Sequence, residues 1–306
     1  MIAEAIALAA AAGALAPLAE ARRRPVARLR GRAEGVMIDT PSRATHLRRF
    51  GPACGPAAFL IHGLTTPSYV WLPIARHLAA SGHRVIAPDL WGRGLSDRPP
   101  GAQDATFFLR QIEAVAEAEQ AGGAMLVVGY SMGGAIATAF ADRCPARVGR
   151  LVLLAPAGLG HDLGRFAAAC TRTPVLGDWA ARVLGGAVWR RGIARGAPLH
   201  PDLPDLADRQ AAEADVRGSL PAWLAAQRGI LSVDMAPAHR RIAAAGLPTL
   251  ALWGRQDRII PLAAMGRLAE ANRAAQQVVL EGAGHALPVS HAAAVCGALD
   301  AFLGAA

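Results

Sequence analysis

The chain contains no lysine: all 32 of its basic residues are arginine, a bias of coding and not of chemistry. Aromatics are scarce, with seven Phe, six Trp and two Tyr in 306 residues, so alanine, leucine and valine must build most of any core. Cys54, Cys144, Cys170 and Cys296 are scattered, with no Cys-x-x-Cys pair. That argues against a disulfide framework and a zinc site, and each cysteine reads as a small buried hydrophobe. Nothing in the spacing of His, Cys, Asp and Glu calls for a metal or another cofactor.

Long apolar runs are also missing. A membrane-spanning helix needs about 20 strongly apolar residues. The nearest approach, residues 5–19 between Glu4 and Glu20, is shorter, alanine-rich and interrupted by Gly13 and Pro17. Its positive charge follows the apolar stretch, the reverse of a secretory leader. Three readings of residues 1–24 stay open: a weak anchor or membrane-surface helix, a plain exposed helix, or a cleaved signal. If the stretch inserts, the arginines behind it would keep the rest of the chain in the cytoplasm.

The net charge of +9 is unevenly placed, since residues 21–50 carry nine arginines against Glu34 and Asp39. The remainder is nearly balanced and shows no nucleic-acid-binding motif, so a nucleic-acid partner is not expected. Hydrophobic content of 53% suffices for a buried parallel sheet, and the length suits one large α/β domain with an insertion.

What is present centres on Gly129-Tyr130-Ser131-Met132-Gly133. The run Met125–Val128 has strand length and branched residues, whereas Ala135, Ala137 and Ala139 favour a helix. Ser131 therefore falls on a strand-to-helix turn, an elbow that presents the serine. Glycines on both sides permit a strained backbone and a close strand–helix approach. The turn sets a hydroxyl at a helix N-terminus, where free N–H groups favour a developing oxyanion.

Other strands end in chemistry too. Ala58–Ile61 runs into His62-Gly63-Leu64, Val85–Pro88 into Asp89, Thr249–Trp253 into Asp257, and Gln277–Leu280 into the glycine-flanked His285. Val36–Ile38 and Thr45–Phe50, separated by Pro41, read as a hairpin. Helices are expected near 70–81 and 105–121, and Arg150–Pro156 as the strand after the elbow helix. Alternating strands and helices argue for a parallel sheet covered on both faces. From 157 to 245 that rhythm lapses into short helices and loops carrying Trp179, Trp189 and Trp223.

With Ser131, Asp257 and His285 in that chain order, each at the C-terminal end of a strand, residues 35–304 resemble the α/β-hydrolases. The segment Asp89-Leu90-Trp91-Gly92-Arg93-Gly94-Leu95-Ser96 is similar to that family's D-x-x-G-x-G-x-S. The resemblance implies a mostly parallel central sheet flanked by helices. It divides the chain into an apolar and basic segment (1–30), a core (31–156 and 246–306) and a helical cap (157–245). It implies Ser131 as nucleophile, His285 as base and Asp257 as the acid that orients it, with backbone N–H groups of Leu64 and Met132 forming the oxyanion hole. Asp89 and Asp97 compete for the acid by residue type alone; the position after the 151–156 strand is Ala155-Pro156 and holds no acid. His62 reads as a brace of its loop.

A serine at the elbow argues against dehalogenase and epoxide-hydrolase relatives, which use aspartate there. The expected activity is hydrolysis of small apolar carboxylic esters through an acyl-enzyme. Carbon–carbon bond hydrolysis, perhydrolase-like chemistry and a non-catalytic ligand-binding receptor are the alternatives. A pocket lined by Leu159, Phe166, Val175, Leu176, Trp179, Val183, Leu184 and Trp189 is expected from the cap. No feature of the sequence fixes an oligomeric state.

Overall fold

A computed structural model describes residues 2–32, 34–41, 43–162, 164–194 and 200–304, with the side chains of residues 2–10 and Arg32 left out. Helix α1 (Ile2–Arg22) precedes the hairpin β1 (Val36–Asp39) and β2 (Ala44–Phe50). Then follow β3 (Ala57–Ile61), α2 (Leu72–Ala80), β4 (Arg84–Pro88), α3 (Ala105–Ala118), β5 (Met125–Tyr130), α4 (Met132–Arg143) and β6 (Val148–Leu154). Five helices come next: α5 (Arg165–Arg172), α6 (Leu176–Ala194), α7 (Leu206–Glu213), α8 (Ser219–Arg228) and α9 (Ala236–Ala244). The chain returns to the sheet with β7 (Thr249–Gly254), α10 (Ala263–Ala271), β8 (Gln276–Leu280), α11 (Leu287–Ser290) and α12 (Ala292–Gly304).

The eight strands form one sheet in the order β1-β2-β4-β3-β5-β6-β7-β8. Only the β1–β2 and β2–β4 pairs are antiparallel. This is the mostly parallel, helix-flanked sheet expected from the sequence. β5 and β7 are buried along their whole length, which is why they read as unbroken apolar runs instead of alternating ones. From β3 the chain first moves to β4 on one side, then crosses to β5 on the other. A crevice opens at such a reversal, beyond the C-terminal strand ends. Ile61, Gly129, Leu153 and Ala251 lie in register across four strands, so the loops that follow them rise together.

The N-terminal segment, whose three readings the sequence leaves open, is docked on the insertion: α1 packs along α6, with Ala16 buried between them. Arg23 donates to the Ala214 and Arg182 carbonyls, Arg24 pairs with Val216, and Arg217 donates to the Glu20 and Ala21 carbonyls. The arginines cap the C-terminal end of α1 against the inserted helices, which compensates its dipole. Among the described residues no helix is long and apolar enough to cross a membrane. The cysteines also divide: Cys170 and Cys296 are buried as expected, but Cys144 is half-buried and Cys54 exposed on the turn before β3.

Candidate active site

Ser131 sits at φ 54° and ψ −119°, in the left-handed half of backbone space, which a side-chain-bearing residue enters only when its surroundings force it. The constraints are visible. A Cβ on Gly133 would run into the carbonyl oxygens of Ile61 and His62, and one on Gly129 into Gly133 and Ala137. The turn is also pinned by hydrogen bonds from Ser131 N to the Leu154 carbonyl (2.9 Å) and from Gly134 N and Ala157 N to the Ser131 carbonyl (2.8 and 3.0 Å). Strand β5 thus hands the serine to the first turn of α4 with its hydroxyl facing the crevice.

The Ser131 hydroxyl donates to His285 Nε2 at 2.9 Å. His285 Nδ1–H donates to Asp257 Oδ2 at 2.8 Å. The tautomer follows from the acceptor, since a carboxylate oxygen can only receive that proton. Asp257 Oδ1 accepts from the backbone of Ile259 (2.8 Å) and Ile260 (2.9 Å), so both carboxylate oxygens are fixed and the group is buried. The β7 and β8 loops are tied to each other by Arg255 N to the Leu280 carbonyl and Gln256 N to the Ala283 carbonyl. The acid and the histidine therefore come from different strands yet share one scaffold.

Leu64, on the loop after β3, and Met132, directly after the serine, are both buried. Among the described residues neither backbone N–H donates to a protein acceptor. His62 does brace its loop: its Nδ1–H donates to the Gly63 carbonyl (2.7 Å), and Nε2 accepts from Leu90 N (2.8 Å). Burial lowers its pKa to about 4, so the neutral ring matches this donor–acceptor pair.

The competing carboxylates are employed elsewhere. Asp89 accepts from His46 Nδ1 (2.7 Å), Ser68 N (2.8 Å) and Leu95 N (2.9 Å). Burial opposes its charge, but these donors win and hold the carboxyl below the usual range. Asp97 pairs with Arg30 (2.6 Å) and accepts from Ala44 N (2.9 Å), tying the basic segment to the core.

The serine and histidine open into a cavity of about 420 Å³. Its core-side wall is Gly63–Thr66, Tyr130, Ile259 and Ala286; the opposite wall is Phe166, Val188, Trp189, Ile193, Leu220 and Trp223. Tyr130 stacks obliquely on His285 with centroids 5.3 Å apart. Of the eight residues expected from the insertion, only Phe166 and Trp189 line the cavity. Leu159 is fully buried, while Val175, Leu176 and Leu184 face outward, Val175 at 83% exposure. The reason is helix phase: residues 185, 188, 189, 192 and 193 form the inner face of α6, and Leu184 is turned away from it. Trp179 instead donates its indole N–H to the Ala12 carbonyl on α1. Trp223, which by sequence suits either a pocket wall or packing within the insertion, lines the cavity; Thr65, Thr66 and Gln210 line it too, and no local motif marks them.

A family model of the alpha/beta hydrolase fold matches residues 56–292. A 2-hydroxymuconate semialdehyde hydrolase of Pseudomonas sp. (strain CF600) is 32% identical over 235 residues, covering 76% of this chain and 80% of that protein. An enol-lactonase from Burkholderia xenovorans LB400 superposes with a TM-score of 0.74 at 20% identity, covering 88% of this chain and all of the other. A thermophilic esterase from Thermogutta terrifontis gives 0.70 at 24% identity, covering 89% and 98%. With the elbow, the strand order and the hydrogen-bonded serine, histidine and aspartate in place, the chain belongs to the alpha/beta hydrolase fold family.

Proposed function

We propose that this protein is a serine hydrolase of carboxylic esters with uncharged, apolar acyl groups. The observation that carries the reading is the unbroken Ser131–His285–Asp257 hydrogen-bond chain at the floor of a cavity whose lining, among the described residues, holds no charged side chain apart from a protonated histidine formed in turnover. His285 Nε2 takes the hydroxyl proton as Ser131 Oγ bonds to the ester carbon. The carbonyl oxygen becomes an oxyanion facing the Leu64 and Met132 N–H groups. The tetrahedral adduct then breaks its bond to the alcohol oxygen, which leaves with the proton from His285. Water repeats the sequence on the acyl-serine, releasing the acid and restoring the hydroxyl. Asp257 stays ionised and holds the imidazolium. The helices inserted at 157–245 act as the cap that closes the pocket, and the substrate is a small molecule.

Carbon–carbon bond hydrolysis is the second reading, favoured by the relative named for 2-hydroxymuconate semialdehyde. A muconate carries a carboxylate, and among the described residues the pocket lining offers it no cation. The test is kcat/KM for p-nitrophenyl esters from acetate to palmitate, beside 2-hydroxymuconate semialdehyde. Highest values with short or medium neutral esters are expected. Efficient cleavage of the semialdehyde with feeble ester turnover would replace this reading with the second.

A further inference from the structure

Arg93 belongs to the Asp89–Ser96 segment, lies only 3% exposed, and does not line the cavity. Its Nε donates to the Leu64 carbonyl at 3.4 Å, and Nη1 to the Trp91 carbonyl at 3.0 Å and Gln103 Oε1 at 2.5 Å. Nη2 donates to the Ala222 carbonyl of α8 at 3.2 Å and meets Met132 Sδ at 3.9 Å. The ring of Phe108 lies 5.6 Å from its guanidinium carbon. Among the described residues no carboxylate forms an ion pair with it. Burial lowers its pKa to about 9, which leaves it charged at neutral pH. A buried cation held by neutral acceptors is costly, and an apolar chain of similar length would be less so. One guanidinium touches the Leu64 carbonyl and the Met132 sulfur, and the N–H groups of these two residues are the ones that the proposed mechanism assigns to the oxyanion.

We infer that Arg93 is the positioning residue of the oxyanion hole: it fixes Leu64 and Met132 relative to each other and sets a positive charge behind their N–H groups. The inference rests on the ester-hydrolase reading, because only a reaction that builds an oxyanion draws on that charge. In a water-poor interior a fixed cation acts strongly on charge that appears in the transition state and weakly on a neutral ester. The benefit therefore belongs in kcat and leaves KM unchanged. The bond to Ala222 supplies the rival role, a tie holding the cap, whose loss would raise KM instead.

The experiment compares wild type, Arg93→Met and Arg93→Lys as full chains. The readouts are kcat and KM for p-nitrophenyl butyrate, the rate of fluorophosphonate labelling at Ser131, and affinity for an alkyl trifluoromethyl ketone, which binds as an oxyanion. Arg93→Met should lower kcat about tenfold, less than the loss on removing a hole donor outright, with KM within about twofold. Ketone affinity and labelling rate should fall by the same factor, and Arg93→Lys should recover part of each. Unchanged kcat and ketone affinity, or a raised KM alone, would overturn the inference. Should Arg93→Met fail to fold, Arg93→Lys decides: a kcat and ketone affinity a few-fold lower at constant KM support it, and wild-type values for both overturn it. A wild type that neither hydrolyses the ester nor takes up the probe at Ser131 would instead refute the ester-hydrolase reading, and this proposal with it.

Discussion

The two walls of the pocket are built on different terms. On the sheet side every reactive group sits within a few residues of a strand end, and backbone hydrogen bonds or glycine contacts leave it one position. On the opposite side the wall is a face of α6 with Phe166, Leu220 and Trp223, held by packing between helices and by α1 behind them. The first arrangement follows from local sequence and admits little variation. The second depends on helix phase and docking, so substitution there reshapes the pocket without dismantling the chemistry.

The sharpest test of that contrast is Ser131→Ala. It should cut ester turnover by about 10³-fold or more while leaving the thermal midpoint unchanged, since almost no volume is lost. Next comes Asp257→Asn. The amide would present a donor where His285 Nδ1–H needs an acceptor, so kcat should drop by about 10³-fold. Asp97→Asn, by contrast, should loosen Arg30 and the start of β2 and leave kcat within about twofold. Equal turnover losses at the two aspartates, with stability preserved, would break the assignment. Gly133→Ala should cost about 3 kcal/mol of stability, because its methyl has only the Ile61 and His62 carbonyls to displace.

The same contrast explains what was legible in the sequence. The hairpin, the parallel strands and the elbow announce themselves through apolar runs that end in glycine, serine, histidine or aspartate. Asp257 and His285 could be read because each closes such a run, although their pairing with Ser131 is tertiary. Helix phase in α6 could not be read, because Ala, Gly and Arg surround its apolar residues and blur any stripe. The docking of α1 was hidden for a similar reason: its partners are backbone carbonyls, which carry no residue signature. Arg93 was in view inside a recognised segment, but only the fold brings Leu64, Met132 and Ala222 around it.

Smaller effects probe the variable wall and the scaffold beneath it. Trp189→Ala opens the inner face of α6 and should move the preferred ester to longer acyl chains, raising kcat/KM for the octanoate over the butyrate about fivefold. No change in the chain-length profile would remove α6 from the specificity wall. Deleting residues 2–24 should raise KM about threefold and lower the thermal midpoint, with kcat for the acetate ester retained. Identical KM and midpoint would mean that α1 is dispensable to the cap.

The smallest effect concerns His46. Burial disfavours its charge, but Asp89 at 2.7 Å and the Glu34 carbonyl at 2.9 Å accept from both ring nitrogens, and its pKa is raised above the ordinary value. A raised folded-state pKa means stabilisation in full below about pH 6.5 that is lost as pH rises through the folded value. His46→Gln should therefore lose about 1 kcal/mol relative to wild type at pH 6 and less at pH 9. A constant difference between the variants across that range would show that His46 is neutral in the fold.

The central claim, a serine activated by the fixed wall, is tested most directly by trapping its intermediate. Rapid acid quench of the reaction with p-nitrophenyl butyrate, followed by peptide mass mapping, should find the butyryl group on Ser131 within the first turnover. The adduct should be absent when His285 is replaced by Ala. Full ester turnover with no acyl group on Ser131, or with the group on another residue, would contradict the account.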